Sequence, residues 1–403
     1  MTLSRWMVFG EIEDPFKELF FEAEEKSFYE QKIPSFMKNY AKKIHLCGIY
    51  VLILKNANED TSDHPLICDY GIDDFEGWVS GCFEWANTKV FNYLDKKGVL
   101  RSIKELRKHL FLKNGSEILD FLDLAESELR KDSRACSKDK LYSFIENWKS
   151  DCKINLTKYS TYEMLGAFQQ SLSSSISAFD ENSIITGINQ KTAYECFSLD
   201  WNVIWPLSLV VNEQSLLQYQ LLSRHLFMLK FSEKQLYSAW LYLQRRRGFF
   251  HLGFFRRASV MIWRMIQIIK SLTLHFHEEE DRQGIKEQET GASCLGELCT
   301  NNERFLRDLF KHSFLTEKRF RGVIWNINIF CIFFSDNLKD FLGDCIDSAL
   351  LELNEFGRTT PNNSKNQVIK DLIREKKFPN SIDKIWLKFS ENIEILISVV
   401  QER

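Results

Sequence analysis

The densest run of chemistry-bearing side chains is Arg245-Arg246-Arg247-Gly248-Phe249-Phe250-His251-Leu252-Gly253-Phe254-Phe255-Arg256-Arg257. Guanidinium groups pair with phosphates and carboxylates, and aromatic rings stack on bases or fill pockets on a partner. Three functional readings follow: a grip on single-stranded nucleic acid, a membrane-surface loop, or a docking surface for an acidic protein. The alternative is an interhelical loop with solvated arginines and with phenylalanines folded back on the helices. Trp263 and Arg264 lie on the helical segment that follows and extend the partner-binding set.

Other chemistry is sparse. His275 and His277 precede Glu278, Glu279, Glu280 and Asp281, but alternate residues on a helix do not converge on one ligand, so this run reads as a polar helix end. Cys294 and Cys299 have zinc-type side chains without zinc-type spacing, and read as free buried thiols. The chain has no G-x-x-x-x-G-K-S/T, G-x-G-x-x-G, H-E-x-x-H or G-x-S-x-G pattern and no EF-hand loop. Arg224 and His225 fall mid-helix with no nucleophile or paired carboxylate beside them, which makes them structural polar contacts. The expectation is a protein that is not an enzyme and carries no cofactor or metal.

The elements that must position these groups are helical. The 403 residues are 44% hydrophobic and 27% charged with a net charge of −3, the composition of a folded protein with no bulk attraction to nucleic acid or anionic lipid. The counts of 17 Gly and 6 Pro argue against a turn-rich β-sandwich or a glycine-looped nucleotide fold, and no apolar stretch reaches the ~18 residues that cross a bilayer. Ten scattered cysteines without a C-x-x-C pair, and no leader-like start, predict the reducing cytoplasm. Helical periodicity with prolines between segments predicts an all-α protein, an elongated stack of helical bundles with no sheet of three or more strands.

Leu106 to Arg130 reads as two helices joined at Asn114-Gly115, Asn212 to Arg247 as one long helix with Leu222, Leu226 and Leu229 on one face, and Val260 to His277 as another. Linkers are predicted at Asn56–His64, Ser171–Ser177, Glu278–Gly291 and Gly357–Lys365, followed by a closing helix from Ser381 to Val400. Gly71, Gly77, Gly81 and Gly98 cluster where a change of bundle is expected, between Asp69 and Leu106. Pro206 disfavours a helical Trp205, so that segment should be extended, with Trp201 and Trp205 as core plugs.

The stretch from Phe197-Ser198-Leu199-Asp200-Trp201 through Trp205-Pro206-Leu207-Ser208-Leu209-Val210 leads into Tyr219-Gln220-Leu221-Leu222-Ser223-Arg224-His225-Leu226-Phe227 and Glu233-Lys234-Gln235-Leu236. It resembles the signature of the gamma-tubulin complex component family. Gly10 with Asp14-Pro15-Phe16, Ile33-Pro34-Ser35-Phe36, Gly48-Ile49-Tyr50, Phe111-Leu112 and Phe121 to Lys131 resemble further blocks in the same order. The resemblance covers nearly the whole chain and fades after about Leu350.

It implies that residues 1–95 are the end of an amino-terminal half that contacts neighbouring components side by side, and that residues 96–403 are a carboxy-terminal half that holds gamma-tubulin. Most of the lateral module then lies outside the chain, which leads one to expect a monomer or a one-to-one complex. The implied partners are gamma-tubulin and other complex components, with no nucleic acid and no membrane. The implied place is the cytoplasm and cytoskeleton, at the microtubule-organising centre or spindle pole, in microtubule nucleation and mitotic spindle assembly. Tubulins are acidic, which directs the partner-binding expectation to Arg245, Arg246, Arg247, Phe249, Phe250, Phe254, Phe255, Arg256, Arg257, Trp263 and Arg264. Ile269-Lys270-Ser271 departs from the family pattern, and implies a diverged gamma-tubulin surface. The competing reading is a helical nucleic-acid-binding protein acting through residues 245–257.

Overall fold

Amphipathic and fully apolar helical segments punctuated by glycine and polar turns give the observed order of elements. The structure is a computed structural model and describes residues 2–11, 33, 37–65, 74–145, 152–161, 163–167, 191–347 and 362–401. The helices are α1 (Thr2–Phe9), α2 (Ala41–Asn56), α3 (Phe75–Lys96), α4 (Val99–Leu110), α5 (Gly115–Leu129), α6 (Lys138–Ser143), α7 (Ala193–Cys196), α8 (Glu213–Gln244), α9 (Gly253–Thr290), α10 (Leu295–His312), α11 (Lys318–Asp340), α12 (Asn362–Glu375) and α13 (Lys377–Gln401). A π-helical turn, Phe341–Asp347, follows α11. The fold is all-α: among the described residues the sheet content is one antiparallel pair, β1 (Cys152–Leu156) with β2 (Phe197–Trp201), in which Cys152 faces Trp201 and Leu156 faces Phe197.

The chain divides into two compact units. The first comprises Met1–Lys104, Ile204–Asn212 and Glu287–Arg304; the second comprises Glu105–Val203, Glu213–Lys286 and Phe305–Arg403. In the first, α1 and α3 pack on α2. Trp6 is 1% exposed and donates its indole N–H to the Ile44 carbonyl at 3.1 Å. It lies so close to α2 that a Cβ built on Gly48 would stand 2.0 Å from its ring. Only glycine allows that approach.

In the second unit α8 is the central helix. Sequence periodicity assigns it one apolar face, yet every residue from Leu221 to Leu229 is buried, including Ser223, Arg224 and His225. A helix enclosed on all sides must satisfy its polar side chains internally. Arg224 does so against oxygens, donating to the carbonyls of Tyr159 (2.7 Å) and Glu195 (3.3 Å) and to the Thr161 hydroxyl (3.3 Å), and burial pulls its pKa down to about 10. It thereby ties the segments flanking β1 and β2 to the core. Arg130, at the C-terminal cap of α5, reaches across to Asp336 of α11 through two bonds of 2.7 and 2.8 Å and to Gln235 of α8 at 2.6 Å, which fixes three helices at one point.

Several local expectations are corrected. The two helices are joined where expected, with Gly115 opening α5 and its N–H closing a tight turn over Asn114 to the Lys113 carbonyl at 3.0 Å, but the joint has a second, left-handed corner at Leu112 (φ +54°) not expected from the sequence. Leu112 is 5% exposed and its neighbour Phe111 meets Tyr219, Phe276 and Phe305 at ring distances of 5.5–6.5 Å, so burial of this corner outweighs the backbone preference. Glu278–Gly291 is not a linker, because α9 continues to Thr290. Trp201 is a core residue as expected, but Trp205 is 42% exposed, its ring 5.5 Å from that of Tyr93. The closing helix starts at Lys377, before Ser381. Ser171–Ser177 and residues 357–361 lie outside the described residues, and Asn362–Lys365 opens α12.

Candidate partner-binding surface

The Arg/Phe run is the corner between α8 and α9. Gln244 ends α8, Arg247–Phe249 form a 3-10 turn, and Gly253 opens α9. The backbone closes through Phe249 N–H to Arg246 O and Leu252 N–H to Phe249 O, at 3.0 and 2.9 Å. Apolar side chains at such a corner fold inward because the core lies within their reach.

The corner separates the run into two classes. Phe254 and Phe255 are 5% and 0% exposed, pack edge-on to one another with centroids 5.5 Å apart, and Phe254 meets Phe341 at 5.2 Å. Phe249 and Phe250 are partly buried against the same core, with the Phe249 ring 5.9 Å from that of Phe255. The arginines remain outside. Arg245 lies over the Tyr242 ring at 5.4 Å, and Arg247 donates to the Gln244 side-chain oxygen. Partial burial and the neighbouring Arg245 lower the pKa of Arg246.

One turn into α9, the exposed face carries Arg256, Val260, Trp263 and Arg264, spaced by four, three and one residues along one side of the helix. Trp263 is 57% exposed and Val260 46%. Two residues that sequence reasoning did not single out complete this surface. Asp383 of α13 accepts from Arg257 at 2.8 and 3.0 Å, and Trp386 of α13 lies under the Arg264 guanidinium at 5.0 Å. Together Arg256, Arg257, Val260, Met261, Arg264, Asp383 and Trp386 line an open groove of about 240 Å³. Three cations face one carboxylate there, so the groove is locally cationic on a chain of net charge −3. The spacing of α13 to the Arg/Phe run, 126 residues, left no local signal that could have joined them.

The nucleic-acid alternative finds no support. Stacking on bases needs exposed ring faces, and two of the four phenylalanines are core residues while the other two pack against the core. His275 donates its Nε2–H to the His312 carbonyl at 3.1 Å, and His277 stands 3.8 Å from Glu280. Among the described residues no three His, Cys, Asp or Glu side chains are grouped to hold a metal ion. Cys299, partly buried, donates its thiol to the Leu209 carbonyl at 3.3 Å. Among the described residues no helix is long and apolar enough to cross a membrane.

Two family models cover the chain: "Gamma tubulin complex component N-terminal" matches residues 1–97 and "Gamma tubulin complex component C-terminal" matches residues 100–403. Among curated proteins the chain is similar to gamma-tubulin complex component 2 of Mus musculus, 24% identical over 400 residues, which is 89% of this chain and 43% of the relative. It is 28% identical over 311 residues to gamma-tubulin complex component 2 of Arabidopsis thaliana, 68% of this chain and 44% of the relative. It is 26% identical over 263 residues to the component 2 homolog of Drosophila melanogaster, 60% of this chain and 30% of the relative. The chain spans less than half the length of these relatives.

Proposed function

The chain belongs to the gamma-tubulin complex component family, and from that premise we propose that it binds gamma-tubulin and serves as a structural component of a microtubule-nucleating complex. In this reading residues 96–403 hold gamma-tubulin, and residues 1–95 are the end of the half that meets other components. The action is templating without catalysis. Holding gamma-tubulins at fixed spacing supplies in advance the order that free subunits would lose entropy to reach. The setting is the cytoplasm and cytoskeleton, at the microtubule-organising centre or spindle pole.

The observation that carries the reading is the match of the C-terminal family model to residues 100–403. Within that span, the exposed cationic and aromatic face of α9 is the contact we propose, with Arg256, Arg257, Trp263 and Arg264 outermost and Arg245, Arg246 and Arg247 at the adjoining corner. Phe249 and Phe250 flank it at the corner, and Phe254 and Phe255 support it from the core. Cations at the rim of an interface act chiefly on the rate of encounter with an acidic partner.

The test is capture of purified gamma-tubulin by the full chain, followed by kinetics. Replacing Arg256 and Arg257 together with Glu should slow association by about tenfold at low salt and leave helix content unchanged. Failure of the unaltered chain to capture gamma-tubulin removes the reading. Full-rate association in the double variant moves the interface elsewhere, with the helices between Phe305 and Leu338 as the next place to search.

A further inference from the structure

We propose that the groove between α9 and α13 is a docking site for an acidic segment of a protein partner, a carboxylate side chain next to an apolar one, and that Asp383 is the internal stand-in for that carboxylate. This rests on the reading of α9 as a partner-binding face and adds the chemistry of what the face receives.

The groove presents two kinds of recognition side by side. Val260, Met261 and Trp386 offer an apolar floor, and Arg256, Arg257 and Arg264 offer guanidinium groups around it. The Arg264 guanidinium carbon lies over the Trp386 ring, 5.0 Å from its centre, a cation–π contact that holds the charge beside the apolar wall. Charge complementarity then specifies the occupant. Three cations answered by one carboxylate leave the groove with an excess of two positive charges, which an acidic segment neutralises and a basic or neutral one does not.

Asp383 shows how a carboxylate is received. Both of its oxygens lie within 3.0 Å of one Arg257 nitrogen, and the pair is solvent-exposed, with Arg257 59% and Asp383 69% exposed. Exposed ion pairs contribute little to stability, so this one opens readily and is exchangeable. An incoming carboxylate therefore competes with Asp383 for Arg257, and the closed pair lowers apparent affinity by the fraction of time Arg257 is occupied. A merely structural ion pair would have the opposite consequence, since removing Asp383 would loosen α13 and weaken the site.

The sign of the Asp383 effect is the test. The probe is a fluorescein-labelled peptide, Glu-Glu-Glu-Phe-Glu-Glu-Glu, titrated with the full chain by anisotropy. Controls are the same peptide with every Glu replaced by Gln, and a single-stranded oligonucleotide of equal charge. The expected results are binding of the acidic peptide alone, a gain of about threefold in affinity in Asp383→Asn, and a loss of about tenfold in Arg257→Gln combined with Arg264→Gln. Circular dichroism and thermal melting check that all variants are folded, and Arg256→Gln provides a second variant away from the Asp383 pair. Equal binding of the Gln peptide or the oligonucleotide overturns the proposal, as does unchanged or weaker binding in Asp383→Asn. Gamma-tubulin capture by the unaltered chain is measured alongside. Capture without peptide binding rejects the groove and keeps the family function, whereas peptide binding without capture does the reverse.

Discussion

At the scale of single residues, two positions are governed by burial. Gly48 faces Trp6 so closely that alanine would place its Cβ 2.0 Å from the indole. Alanine gains about 1 kcal/mol of helix propensity over glycine, but overpacking against a buried ring costs about 1–3 kcal/mol or more. At this distance the clash wins. Gly48→Ala should lower stability by at least about 1 kcal/mol and expose Trp6, seen as a lower midpoint in urea and a red shift of tryptophan emission; an unchanged midpoint would contradict the packing. His225 is 4% exposed, and desolvation pushes its pKa down to about 4. The unfolded chain, with a value near 6.5, then binds a proton that the native state refuses, so stability falls as pH drops from about 6.5 toward 4. Between pH 7 and pH 5 this contributes a loss of about 2 kcal/mol. His225→Asn should flatten the pH dependence of the urea midpoint by that amount relative to the unaltered chain, whatever its effect at pH 7.

At the scale of elements, the α8–α9 corner combines core side chains with surface side chains in one short run. Phe254 and Phe255 are enclosed with Phe341, so each change to Ala should cost about 3–5 kcal/mol through lost burial and a residual cavity. The Arg256 and Arg257 side chains are exposed, so their replacement by Glu should stay within about 1 kcal/mol. Thermal denaturation of the two double variants separates these roles. Comparable melting temperatures would mean that the phenylalanines are not holding α9 to its neighbours. The same logic explains why Trp263 keeps its indole in solvent while Met261 and Ile262 do not: a helix rotates about 100° per residue, and only one side of α9 meets the core.

At the scale of the whole molecule, the net charge of −3 conceals a local excess of cations in the first half of α9, where Arg256, Arg257, Arg264 and Lys270 precede the acidic run that begins at Glu278. Long-range steering depends on such local distributions more than on the total. Raising ionic strength from about 0.05 to about 0.3 M shortens the screening length to several ångströms. Under the proposed function, association with gamma-tubulin should slow accordingly while dissociation changes little, and stopped-flow measurement of both rates checks this. Dissociation that accelerates as steeply as association slows would place buried charges, not rim arginines, at the interface.

How much of this was legible in the chain follows from the range of the interactions. Sequence alone determined the all-α class, the long helix over Glu213–Gln244 and the family signature, because periodicity and motif residues act within a few positions of one another, whereas the segment expected to be extended at Trp205 is a turn closed by Leu207 N–H to the Ile204 carbonyl. It also isolated the Arg/Phe run as the place of unusual chemistry. It could not decide that α8 is enclosed on every side, that Leu112 takes a left-handed conformation at the α4–α5 joint, or that Trp205 is half-exposed. Nor could it divide the run into core phenylalanines and surface arginines, or bring Asp383 and Trp386 to Arg257 and Arg264. Those outcomes depend on which helices pack together, and packing joins residues more than a hundred positions apart through contacts that leave no periodic trace in the chain.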